Sequence, residues 1–377
     1  MSLFGSRPAM RWLVPTAAAV VVIGGGAAAG TIVASADPSL PERSAAQLLV
    51  DVHNAHVDGL SGTIVQTADL GLPALPGLTA GNTDLTKMVT GNNSARVWYA
   101  GKDRMRVAAQ TMLGETDVIR NGQDVWLWRS KDNTATHVTL PRDGADTPKA
   151  LPSGIPSTPQ EAADAALAAI DPTTQVSTTG AAKVAGRDAY ELVLAPRDTA
   201  SLLGQVRLAI DAKTHIPLRV DVYAKDATAP AVRVAFQQIS FTAPDPEQFV
   251  FNPPAGAKVS NAKPHADAEH GKAPLGAKPP AGAPKATAAG AEPTVIGKGW
   301  TSVLVAKLPD GWQKQAGAKQ GETAMVGAVL DSLPKVSGTW GSGRLLSSTL
   351  FSALLTDDGR VLVGAVAPDR LYQVAAG

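Results

Sequence analysis

The chain has 377 residues, 44% of them hydrophobic, 18% charged and 5% aromatic, with no cysteine. The missing thiol excludes a disulfide framework, cysteine-bound zinc or iron–sulfur centres, a thiol nucleophile and a lipid-modified cysteine. Lys and Arg number 34 against 33 Asp and Glu, so no basic footprint for nucleic acid is present.

From Trp12 to Ala36 no residue is charged. As a helix rising about 1.5 Å per residue this stretch spans roughly 37 Å, enough for a bilayer core of about 30 Å. Arg7 and Arg11 precede it and Asp37 and Glu42 follow, the positive-inside arrangement that puts the rest of the chain outside the cytoplasm. Ala34-Ser35-Ala36 also fits a signal-peptidase site, so residues 1–36 read equally as an N-terminal membrane anchor or as a cleaved signal peptide.

The segment from Pro41 to Asp58 carries Leu48, Leu49, Val52 and, one turn on, His56 or Val57 at helical spacing and predicts an amphipathic helix ending at Gly59. The period then changes to two. Ile64 to Ala68, Arg96 to Ala100, Arg104 to Ala108, Thr116 to Arg120, Val125 to Trp128 and His137 to Leu140 predict strands, with Asn121-Gly122 as a hairpin signal. Thr158-Pro159-Gln160-Glu161 supplies the start of a second helix that Asp171-Pro172 ends. Strands resume through Tyr190, Leu192 and Leu194, then Val206, Leu208 and Ile210, then Val220 and Val222, then Val232, Val234 and Phe236. Charged residues such as Arg207, Asp211, Arg219, Asp221 and Arg233 alternate with them. That alternation predicts an antiparallel sheet with one apolar and one wet face. The expected fold is α+β: a strongly curved antiparallel half-barrel with helices on its concave face, plus a small C-terminal α+β module. The domain expectation is a half-barrel at 40–259, an Ala/Pro/Gly/Lys-rich linker at 260–293 that cannot bury enough apolar surface to order itself, and the module at 294–377. In that module Trp300 to Leu308 reads as a strand, Glu322 to Leu333 as a helix, and Leu350 to Leu355 with Val361 to Val366 as a hairpin around Asp357-Asp358-Gly359-Arg360.

The order helix, meander, short helix, meander, with Ile210-Asp211-Ala212-Lys213-Thr214-His215-Ile216-Pro217-Leu218-Arg219-Val220 and the close from Phe241 to Asp245-Pro246 and Phe249-Val250-Phe251-Asn252-Pro253-Pro254, resembles the LolA superfamily. That superfamily comprises periplasmic lipoprotein carriers and the RseB type of sigma-factor regulator, and is similar in fold to mycobacterial LprG-type lipid-binding proteins. The resemblance implies an apolar cavity for lipid or lipoprotein acyl chains. It also implies, as a second reading, a membrane regulator such as an anti-sigma factor as partner. It implies no catalysis and no cofactor.

Within such a fold the helix-facing sheet positions Val97, Tyr99, Met105, Val107, Val125, Leu127, Val222, Val234 and Phe236 are the expected cavity lining. Trp98, Trp126 and Trp128 leave open a register shifted by one residue, which would invert the assignment in those strands. The leucine-rich stretch Asp69 to Leu78 is broken by Gly and Pro and reads either as a lid carrying Leu70, Leu72, Leu75 and Leu78 or as a loop tucked onto the core. His53 and His56, with Asp51, are close enough in sequence for a metal ion but lack a further ligand at a suitable spacing. G-x-S-x-G, P-loop, dinucleotide and H-E-x-x-H signatures are absent, so a non-enzymatic protein is expected.

Overall fold

The structure is a computed structural model that describes residues 40–72, 91–111, 114–140, 172–262, 293–308 and 329–377. The apolar segment Trp12 to Ala36, the second expected helix, most of the linker, and Leu75 and Leu78 lie outside the described residues. No helix among the described residues is long and apolar enough to cross a membrane.

Helix α1 (Ala45–Asn54) begins where Ser44 forms a reciprocal capping box with Gln47. Each side chain there satisfies a backbone N–H that the first helical turn leaves without a partner. The helix stops short of the expected Asp58, because Ala55 is extended and its N–H bonds back to the Val52 carbonyl.

Strands β1 (Leu60–Ala68), β2 (Gly91–Tyr99), β3 (Arg104–Thr111), β4 (Gly114–Asn121), β5 (Asp124–Arg129) and β6 (Thr134–Thr139) form one half of a meander. The other half comprises β7 (Thr174–Val184), β8 (Arg187–Pro196), β9 (Leu203–Asp211), β10 (Pro217–Ala224) and β11 (Val232–Ser240). β1 pairs with β11 and joins the halves, and β12 (Lys258–Ala262) adds to β6 in parallel. The result is one 12-stranded sheet in the order β12-β6-β5-β4-β3-β2-β1-β11-β10-β9-β8-β7. It is large, curved and not closed, and among the described residues it is closer to all-β than to the expected α+β half-barrel backed by helices. α1 covers only one end of it. Leu48, fully buried, sits there with Tyr190, Leu192 and Ile210.

A second, 6-stranded antiparallel sheet follows: β13 (Thr294–Ile296), β14 (Val303–Lys307), β15 (Lys335–Gly338), β16 (Gly341–Ser347), β17 (Ser352–Thr356) and β18 (Arg360–Gly364). Helix α2 (Pro368–Ala376) buries Leu371 and Ala375 against Val303, Leu354, Leu362 and Val366. The expected β17–β18 hairpin is present and turns through Gly359.

The two sheets meet along a seam. Ser201 bridges to Val366, the Leu202 N–H donates to the Ala365 carbonyl at 2.8 Å, and the Thr349 N–H donates to the Leu70 carbonyl at 2.9 Å. Trp300 Nε1 donates to Thr174 Oγ1 at 2.7 Å. Beside it Gly299 has φ of 60°, and a Cβ there would lie 2.0 Å from Thr173 Oγ1, so a close approach and a left-handed backbone both require glycine.

Candidate functional site

Directly paired residues of an antiparallel ladder share a face. Val97 pairs with Val107, Val107 with Val118, and Val118 with Leu127. Tyr99 pairs with Met105, Met105 with Arg120, and Arg120 with Val125. Ile64 faces Ala95 on one side and Phe236 on the other, which ties this row to Val234 and, through Val220, to Val222. All the residues expected to line a cavity therefore occupy one face, the face that carries α1. Val125 is buried and Met105 is exposed. The others are half-buried. Val97, Tyr99, Met105, Val107, Leu127 and Val234 belong to none of the core clusters among the described residues, whereas Phe236 and Val222 do.

Trp98, Trp126 and Trp128 lie on the opposite face. The returning chain packs on two of them: Phe251 lies 5.3 Å from Trp126 and 6.0 Å from Trp128, and His137 stacks on Trp126 at 4.4 Å. Phe249 is buried, with the Arg104 guanidinium 5.9 Å from its ring.

That opposite face was expected to be wet, and across β8 to β11 it is so only in part. Asp221 is fully buried and accepts from Arg233 Nε at 2.6 Å and Nη2 at 3.0 Å, with Arg219 Nε 3.0 Å away as a second ion pair. Arg219 also donates to Glu191 at 2.6 Å, and Arg207 lies 3.6 Å from the same carboxylate. The half-buried guanidinium groups pair with buried carboxylates, so alternate charged positions form an ion-pair ladder across β8 to β11. Asp211 has a comparable role at the β9–β10 turn. It accepts from Arg187, from the Lys213 and Thr214 N–H groups and from the Thr214 hydroxyl. Burial pushes its carboxyl up, but the hydrogen bonds from Arg187 and Thr214 outweigh it and hold the group below the usual carboxylate range. The motif Asp211 to Thr214 thus stabilises a turn, and His215 takes a positive φ within it.

Asp117, 1% exposed, has one oxygen ligated by Arg106 at 2.5 Å and 3.1 Å. Burial chiefly, with the nearby Glu115 carboxyl, raises it to about 6 against the downward pull of Arg106.

Of the expected lid leucines, Leu70 and Leu72 are among the described residues. Leu70 and Leu72 pack with Leu350 and Phe351 of the smaller sheet and with Val222, Ala231 and Val232, which places them in the seam between the sheets. The metal-ligand grouping is not assembled. His56 lies beyond the end of α1, and Asp51 is taken up by Arg43 at 2.9 Å. The described residues contain no group of three or more His, Cys, Asp or Glu suited to a metal ion.

Sequence reasoning missed a pocket of about 290 Å³ on the Trp-bearing face, lined by Ser61, Thr63, Arg96, Trp98, Gln238 and Ser240. It sits at the irregularity between Thr63 and Ile64 in the β1–β11 ladder. Gly62 allows this geometry, since a Cβ there would lie 2.4 Å from the Gln238 carbonyl oxygen.

Residues 90–256 match the family described as the MucB/RseB N-terminal domain. Similar solved structures include a complex of Pseudomonas aeruginosa MucA and MucB, at 16% identity over 88% of this chain and 96% of that chain with a TM-score of 0.40. A LolA superfamily protein from Nitrosomonas europaea is similar at 10% identity over 56% of this chain and 99% of that chain, TM-score 0.20. No curated protein matches the chain. Residues 90–256, which carry most of the larger sheet, are thus similar to the MucB/RseB N-terminal domain.

Proposed function

We propose that this is a non-enzymatic protein of the cell envelope that takes up lipid or lipoprotein acyl chains on the α1-bearing face of its larger sheet, as a two-unit protein outside the cytoplasm that its N-terminal segment either tethers to the membrane or exports. The observation that carries the reading is the row Val97, Val107 and Leu127 with Tyr99, Met105 and Val234: apolar, on one face, and outside every described core cluster. Each methylene buried against such a surface contributes about 0.8 kcal/mol, so part of one acyl chain gives reversible affinity with no covalent step.

A second reading is regulatory. The match of residues 90–256 to the MucB/RseB family favours it, and in that reading occupancy of the apolar face alters binding to a membrane-bound anti-sigma factor, as MucB binds MucA.

Lipid extraction and mass spectrometry of the purified protein test the first reading. Co-purified acyl lipid is expected, and it is expected to be lost in Leu127→Asp, which sets a charge at the centre of the row. An empty protein that forms a stable complex with an anti-sigma factor would establish the second reading in its place.

A further inference from the structure

The pocket on the Trp-bearing face has a chemistry that the acyl-chain reading does not use. Two neighbouring cross-strand rows build it: Ser240–Ser61–Trp98 and Gln238–Thr63–Arg96. Its indole wall is Trp98, whose ring has the Arg96 guanidinium 4.9 Å from its centroid and the Arg106 guanidinium 5.3 Å from it. These two cations are not equivalent. Arg106 is neutralised by Asp117, while Arg96, exposed, has no carboxylate partner among the described residues. No Asp or Glu lines the pocket. Every polar side chain that does is able to donate: three hydroxyls, one amide and one guanidinium. The Ser240 hydroxyl already accepts from the Thr242 N–H at 3.2 Å, which leaves its own O–H to donate.

A concave site that offers donors and one unneutralised guanidinium, backed by an indole, is complementary to a planar anion with two adjacent acceptor oxygens. We propose that the pocket binds a carboxylate, supplied either by an acidic side chain of a polypeptide or by a small free acid. Because the pocket opens on the face opposite the apolar row, binding there is independent of acyl-chain uptake.

The test is titration of the full-length protein, labelled with ¹⁵N-arginine, with the blocked dipeptide Ac-Glu-Ala-NH₂, with glutarate and with inorganic phosphate, following the Arg96 Nε–Hε resonance. A saturable shift is expected with both carboxylates. Tighter binding of the dipeptide identifies the polypeptide source, and tighter binding of glutarate the free acid. Loss of one charge-assisted contact in Arg96→Gln is expected to weaken binding by about tenfold or more, and loss of one hydroxyl donor in Thr63→Val by roughly threefold. Unchanged thermal unfolding midpoints in both variants establish that the fold is intact, and Leu127→Asp is expected to bind the carboxylates as the wild type does. An Arg96 resonance that shifts without saturating, an Arg96→Gln variant that binds like the wild type, or phosphate that binds as tightly as either carboxylate overturns the proposal.

Discussion

Replacing Asp221 by Ala is expected to lower the stability of the larger sheet by about 3 kcal/mol, because it leaves two guanidinium groups on a covered face without their shared counter-charge. Asp221 is fully buried and is the acceptor of a two-point contact with Arg233 and the ion-pair partner of Arg219. Removing one member of a buried pair costs more than the pair contributes, since the remaining charge keeps its desolvation penalty. The effect is held to the lower part of the usual range of about 3–5 kcal/mol because the Arg233 side chain is 29% exposed and Arg219 retains Glu191. In a sheet of this size the thermal midpoint is expected to fall by roughly 6–12 °C. Asp221→Asn, which keeps an acceptor oxygen and the shape, is expected to lose less. Chemical denaturation of the two variants beside the wild type measures both quantities, and equal stability of all three would show that the ladder contributes nothing.

Asp117 is expected to make the protein more stable in mild acid than its other carboxylates would suggest. Its folded-state value is raised from 3.8 to about 6, so between those limits the folded chain holds a proton that the unfolded chain has released. Protonation therefore favours folding. The contribution is fully present below the unfolded value and is lost as pH rises through about 6, and two pKa units correspond to about 3 kcal/mol. Asp211 and Asp358 have lowered values and act in the other sense, losing their contribution as pH falls. The difference between wild type and Asp117→Asn isolates the one group: the variant is expected to gain in relative stability from pH 4 to pH 7. Unfolding curves that stay parallel over this range would mean that Arg106 already holds Asp117 ionised.

Much of this architecture is legible in the chain, for reasons that particular residues make clear. A period of two settles the face of each strand once one member is placed, which is why Val97, Val107 and Leu127 could be grouped before any contact was known. Alternation does not say whether a charged position meets water or a partner across the sheet. Arg219, Asp221 and Arg233 therefore read as a wet face, although pairing buries Asp221 and leaves the two arginines half-buried. Strand β7 escaped because Gln175, Ser177, Thr178 and Thr179 give an edge strand with little apolar signal. Helix α2 had a readable start in Ala367-Pro368-Asp369, with proline in the first turn and Leu371, Val374 and Ala375 at helical spacing. The leucine-rich pattern of Leu70 and Leu72 asks for an apolar seat, but that Leu350 and Phe351 belong to it is information nearly three hundred residues away along the chain. The Arg96 pocket has no local signature at all, since it is made where β1 slips by one residue against β11.

The central claim is that acyl chains meet the α1-bearing face and not the one carrying the tryptophans. Methyl NMR of the protein titrated with doxyl-labelled stearate tests it most directly. The account requires line broadening at Val97, Val107, Leu127 and Val234, with Ile119 and Val193 on the opposite face spared. Broadening centred on Ile119 and Val193, or no saturable broadening at any methyl, would contradict it.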